Sequence, residues 1–208
     1  MANTTFSGAV RSKGGFTSIS KNSSTGAIST LSSISSTGVS SFDANTLATE
    51  AGTGITGGTG TIYRSSVQRV GGIITTRILI DLTGLRSTAS GDIIGVNGTS
   101  NVCHIGQITA AQNGTILTGS MECFEAPTGG DPDINVHSAT EGTGVEDGAI
   151  SSLTETLLVN AGDATLGSKV YFTAVPAADE FLYLTLGDTT DADYTAGKLF
   201  IELMGYAA

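Results

Sequence analysis

Apolar and polar positions alternate in short bursts from about residue 67 onward. Residues 73–82 read Ile-Ile-Thr-Thr-Arg-Ile-Leu-Ile-Asp-Leu, β-branched and alternating, the strongest strand signal in the chain. Residues 93–96, 102–108, 115–124, 134–138, 169–173, 181–186 and 198–204 give further strand signals, separated by Gly, Asn or Asp clusters. Short strands at this spacing predict an all-β domain, a β-sandwich and within that class a jelly roll, over residues 67–208. Its expected core holds Ile78, Ile80, Leu82, Ile105, Leu117, Val170, Phe172, Leu184 and Ile201. One stretch breaks the pattern. Ile150, Leu153, Leu157 and Leu158 fit helical spacing, so a short helix is predicted over residues 149–158.

Residues 1–66 have a different texture. They are more than half Ser, Thr and Gly, with isolated apolar residues such as Ile19, Ile28, Leu31 and Ile34. That is too sparse for a core and too apolar for a solvated linker. Such a segment is expected to be an extended N-terminal arm that orders against another surface. The glycine-rich run over residues 52–60 lacks Lys and a following amphipathic helix, so flexibility explains it better than phosphate binding.

Composition narrows the class. Charged residues make up 13% of the 208, Gly is 29 and Trp is absent, which disfavours a helical bundle with its Lys- and Glu-rich surface. The net charge of −10 is uneven: residues 1–86 carry seven cations and three acids, residues 87–208 two cations and sixteen acids. A −14 segment repels nucleic acid, and seven scattered cations are too few for a binding patch. No apolar run approaches the length of a membrane span, and the opening shows no leader, so synthesis in a reducing cytoplasm is expected.

Candidate chemistry is thin. Asp188, Asp191 and Asp193 offer three carboxylates that could take Ca²⁺, but the spacing matches no EF-hand loop; a solvated hairpin tip between the strands at 181–186 and 198–204 is the better reading. Asp131-Pro132-Asp133 and Glu146-Asp147-Gly148 read as turns. Cys103 beside His104 raises a nucleophile pair, yet strand neighbours point to opposite faces. Cys103 and Cys123 share parity with apolar neighbours and read as small buried hydrophobes, with a disulfide as the alternative. These residues imply no catalytic group, cofactor or metal. A glycan hydrolase working with paired acids is the rival enzyme class, but no aromatic platform stands beside the acids.

Four stretches resemble structural proteins of marine tailed bacteriophages. They are Thr5-Phe6-Ser7-Gly8-Ala9-Val10-Arg11-Ser12-Lys13-Gly14-Gly15-Phe16, with Ala9 where those proteins commonly place Pro; His104-Ile105-Gly106-Gln107-Ile108-Thr109-Ala110-Ala111-Gln112-Asn113-Gly114-Thr115; Ala139-Thr140-Glu141-Gly142-Thr143-Gly144-Val145-Glu146-Asp147-Gly148-Ala149; and Tyr194-Thr195-Ala196-Gly197-Lys198-Leu199-Phe200-Ile201-Glu202-Leu203. The resemblance implies a non-enzymatic virion structural protein, a capsid decoration or cement protein on the surface of the head. It implies the major capsid protein and neighbouring copies of the chain, as a homotrimer, as partners. On that reading Phe6, Val10, Arg11, Lys13, Phe16 and Lys21 form a capsid-binding arm and the acidic part projects outward. A head-fibre or tail receptor-binding module that recognises glycans is the alternative.

Overall fold

The computed structural model describes residues 16–22, 24–34, 40–42 and 46–207. The chain divides into two compact units, residues 1–44 and 45–208.

In the first unit, strands β1 (Phe16–Lys21), β2 (Ile28–Ile34) and β3 (Ser40–Phe42) form an antiparallel meander in the order β1-β2-β3. The β1–β2 turn is held by Asn22, whose side-chain oxygen accepts from the amides of Ser24 and Thr25, both at 2.9 Å. Gly26 supplies the left-handed backbone, at φ +73°, that the turn needs. The described part of the expected arm is therefore folded back on itself rather than drawn out as one extended segment.

The second unit is an all-β sandwich of antiparallel sheets. It begins at Asn45, not at residue 67. Helix α1 (Thr53–Thr56) buries Ile55 completely, and strand β4 (Ile62–Val70) belongs to the larger sheet. The glycine-rich run is a packing element rather than a flexible breaker. Gly52 and Gly54 donate their amides to the carbonyls of His104 and Val102, both at 2.9 Å. A Cβ on Gly54 would stand 2.6 Å from the carbonyl oxygen of Asn101, a distance side-chain carbons do not tolerate. Glycine is there so that two backbones can touch.

Strands β5 (Ile73–Asp81), β7 (Thr115–Thr128), β10 (Lys169–Tyr171) and β13 (Ala196–Tyr206) join β4 in a five-stranded sheet, ordered β10-β7-β13-β5-β4. Alternation behaves as expected in β5, where Ile74, Thr76, Ile78 and Ile80 are buried, and in β13, where Leu199, Ile201 and Leu203 are. Leu117 is the exception, being 56% exposed. Gly205 pairs with Ile116 and Met204 with Thr118, so Leu117 is the extra residue of a bulge and its parity is lost. Val170 and Phe172, expected in the core, are only partly buried against it, since β10 is an edge strand.

The second sheet, ordered β11-β8-β9, contains β8 (Ile134–Ala139), β9 (Glu155–Val159) and β11 (Phe181–Leu186). All six residues of β8 are buried, so this central strand is covered on both faces. Segments predicted as strands at 93–96 and 102–108 run along β11 instead as isolated bridges, Ile93 with Thr185 and Gln107 with Phe181. Two short pieces share one strand's edge, so neither has enough bonds to be regular. The helix expected over 149–158 is a single 3₁₀ turn, Ile150–Ser152, followed by β9. A bulge in β9, between the pairs Val136–Val159 and His137–Leu157, buries Leu158 and Val159 together. Leu157, which the helical spacing counted with Leu158, is exposed. The two strands expected to form a hairpin around Asp188, Asp191 and Asp193 lie in different sheets, so the loop is a crossover. It carries β12 (Ala192–Asp193), which pairs with β6 (Arg86–Ser87).

Candidate functional site

Of the residues expected to bind a capsid, Phe6, Val10, Arg11 and Lys13 lie outside the described residues. Phe16 opens β1 opposite Ile34, and Lys21 closes it opposite Ile28 with an exposed side chain.

The acidic loops resolve into turns and one ion-pair cluster. Arg86 on β6 bonds Asp191 at 2.8 Å and Asp193 at 2.9 Å, in the place a cation between them would take. This cluster borders an open polar cleft of about 470 Å³, with Asn97, Gly98, Glu146 and Asp147 on its other wall. Burial pushes the Glu146 carboxyl up, and Asp147 and Asp191 add to the rise; a bond from the Gly98 amide and the charge of Arg86 pull it back without cancelling it. Asp131 ties its loop together by accepting from the amides of Asp133 and Thr190. Among the described residues no group of three His, Cys, Asp or Glu could hold a metal ion.

Cys103 and Cys123 are buried free thiols. Cys103 Sγ donates to the Asn101 carbonyl at 3.3 Å, and burial pushes its pKa up to about 12. A thiol held protonated at neutral pH is a packing group rather than a nucleophile. The His104 ring packs 4.9 Å from Phe181 and edge-on to Tyr183, with Nδ1 buried and without a hydrogen-bond partner among the described residues. Burial pushes its pKa down.

The feature that sequence reasoning missed is the outer face of the five-stranded sheet. Pairing places Tyr171, Ser120, Glu202, Arg77 and Ser66 in one row across all five strands. The next row runs Lys169, Glu122, Phe200, Leu79 and Arg64. Ion pairs stitch the strands together: Arg77 with Glu202 at 2.8 Å, Lys169 with Glu122 at 3.4 Å, and Lys198 with Glu125 and Asp81. Burial pushes Asp81 up, but bonds from Thr83 and the charge of Lys198 outweigh it and leave the carboxyl below its usual range. Phe124 stacks on Phe200 with centroids 5.1 Å apart, and Lys169 lies 5.9 Å over the Tyr171 ring. A shallow groove of about 280 Å³ runs between Tyr171, Arg77 and Met204. Alternating Phe200, Glu202, Met204 and Tyr206 was a visible signal, but only the strand order gathers such residues from distant segments.

No family model, no curated protein and no solved structure matches this chain.

Proposed function

We propose that the chain is a non-enzymatic structural protein of a tailed-phage particle, bound to the capsid shell as a decoration or cement protein. The observation that carries this reading is the division of the chain into a Ser/Thr/Gly-rich N-terminal unit, residues 1–44, and a sandwich unit, residues 45–208. An N-terminal segment with its own apolar residues and cations suits attachment, and a sandwich with an acidic surface suits display. The sequence resemblance supports the same reading. Two of its C-terminal blocks include buried packing residues, Ile105, Ile108, Tyr194, Leu199 and Ile201, as a structural role requires. On this reading the partners are the major capsid protein and neighbouring copies of the chain, arranged as a homotrimer.

Imaging of purified particles carrying a label on the chain tests the placement. Density on the head shell supports it, and density at a head fibre or tail tip favours receptor binding instead. In a binding assay, substituting Phe6 and Phe16 with Ala is expected to weaken attachment by at least about tenfold. Substituting Arg11, Lys13 and Lys21 with Ala should weaken it less and reduce its salt dependence. The opposite ranking, or attachment unchanged by deletion of residues 2–44, refutes the attachment role of the N-terminal unit.

A further inference from the structure

Residues 45–208 carry six cations and eighteen acids, a net charge of −12. The charges are sorted by surface. The outer face of the five-stranded sheet holds Arg64, Arg77, Lys169 and Lys198 together with Asp81, Glu122, Glu125 and Glu202, and is neutral. Everything else in the sandwich has two cations, Arg69 and Arg86, against fourteen acids. Two such domains repel each other, and least in the orientations that bring these neutral faces together and keep the acidic surfaces apart.

The same face carries the side chains that interfaces favour. Tyr171 is 67% exposed, Tyr206 51% and Val70 69%, and Ile62, Ile73 and Met204 are also exposed. The stacked Phe124 and Phe200 add to the set. In the opposite sheet the central strand, β8, is buried on both sides within its own domain. Ion pairs among the face's own side chains leave few charges to strip of water without a partner.

We propose that the outer face of the five-stranded sheet is the surface through which one copy of the chain binds a second copy, leaving the acidic remainder outside. This deepens the self-association part of the function above and rests on that part alone, so it is tested without a particle.

Sedimentation velocity of the full chain between about 1 and about 100 µM should show concentration-dependent association. Tyr171→Glu with Met204→Glu places two acids on each face and should raise the dissociation constant by at least about 100-fold, because like charges then meet at the contact. Leu157→Glu, at a residue 39% exposed in β9 of the other sheet, should leave it unchanged. Association should be at least as tight at about 0.5 M as at about 0.05 M salt, since screening removes only the residual repulsion. Hydroxyl-radical footprinting of the wild type supplies a readout that needs no variant: Tyr171, Met204 and Tyr206 should be protected at high concentration and Leu157 should not. A wild type that stays monomeric, association untouched by the double substitution, protection elsewhere, or a steep loss with salt each overturn the proposal. A monomer would still leave capsid attachment standing, and a tail location would leave the self-contact standing.

Discussion

Ile55→Ala measures whether residues 45–66 are part of the folded domain. The side chain sits in α1 and is completely buried in the continuous core. The substitution removes three carbons, worth about 2.4 kcal/mol at ~0.8 kcal/mol for each buried methylene. A cavity adds to that, because α1 is fixed by backbone bonds from Gly54 to Val102 and from Val96 to Gly54 and cannot sink into the gap. The total should fall near 3.5 kcal/mol, within the range of about 2–5 seen for such truncations. For a domain of this size that corresponds to a fall in Tm of roughly 7–14 °C. Urea denaturation followed by circular dichroism in the β region gives the number, with Leu166→Ala as an exposed control expected to change stability by less than ~0.5 kcal/mol. If Ile55→Ala cost no more than that control, residues 45–66 would be a linker after all and the domain would begin near residue 67.

Three further outcomes follow from the same coordinates. Gly54→Ala should destabilise the domain by about 2 kcal/mol or more in the same denaturation assay, because its Cβ would press on the Asn101 carbonyl; a neutral result would mean the two backbones separate easily. Asp133 has its Oδ1 buried without a hydrogen-bond partner among the described residues, and its carboxyl is pushed up by burial and then by Asp131, Asp163 and Asp188. A raised folded pKa means stability is lost as pH rises through it, so Asp133→Asn should stabilise at pH 7, with the gain fading as pH falls toward 3.8; destabilisation at pH 7 would refute this. His104 has the opposite sign of effect on acidification: its folded pKa is below 6.5, so the unfolded chain takes up the proton first and stability falls as pH drops from about 6.5 through the folded value. His104→Leu should flatten that part of the pH–stability curve, and an unchanged slope would assign it to other groups.

What could be read from the sequence was whatever depended on local alternation. Ile78 and Ile80 were legible because β5 runs nine residues without a bulge, and Ile201 because β13 alternates cleanly around it. Leu117 was misread because a single extra residue reverses parity, and bulges leave no mark in an alternating pattern. Leu157 and Leu158 read as a helical edge with Ile150 and Leu153, but in β9 Leu157 is exposed and the bulge instead brings Val159 inside beside Leu158. The glycines of residues 52–60 announced a lack of side chains but not its reason, which lies some fifty residues away at Asn101 and Val102. The outer sheet face needed the most: Arg77 and Glu202 are neighbours only because β13 lies between β5 and β7.

That strand order also sets a schedule. The central strand of the five-stranded sheet, β13, is the last of the five to be made, about 115 residues after β5 ends. At roughly 5–20 residues per second on the ribosome, the β4–β5 hairpin waits on the order of 6–23 s for the partner that fills its inner edge. During that interval β5 presents Ile74, Ile78 and Ile80 beside an unpaired strand edge, and β7 presents Met121 and Cys123 in the same state. Nascent chains on neighbouring ribosomes are therefore exposed to one another at the strands that later form the middle of the sheet. Their yield should depend on translation speed and on holding chaperones far more than the finished fold depends on either.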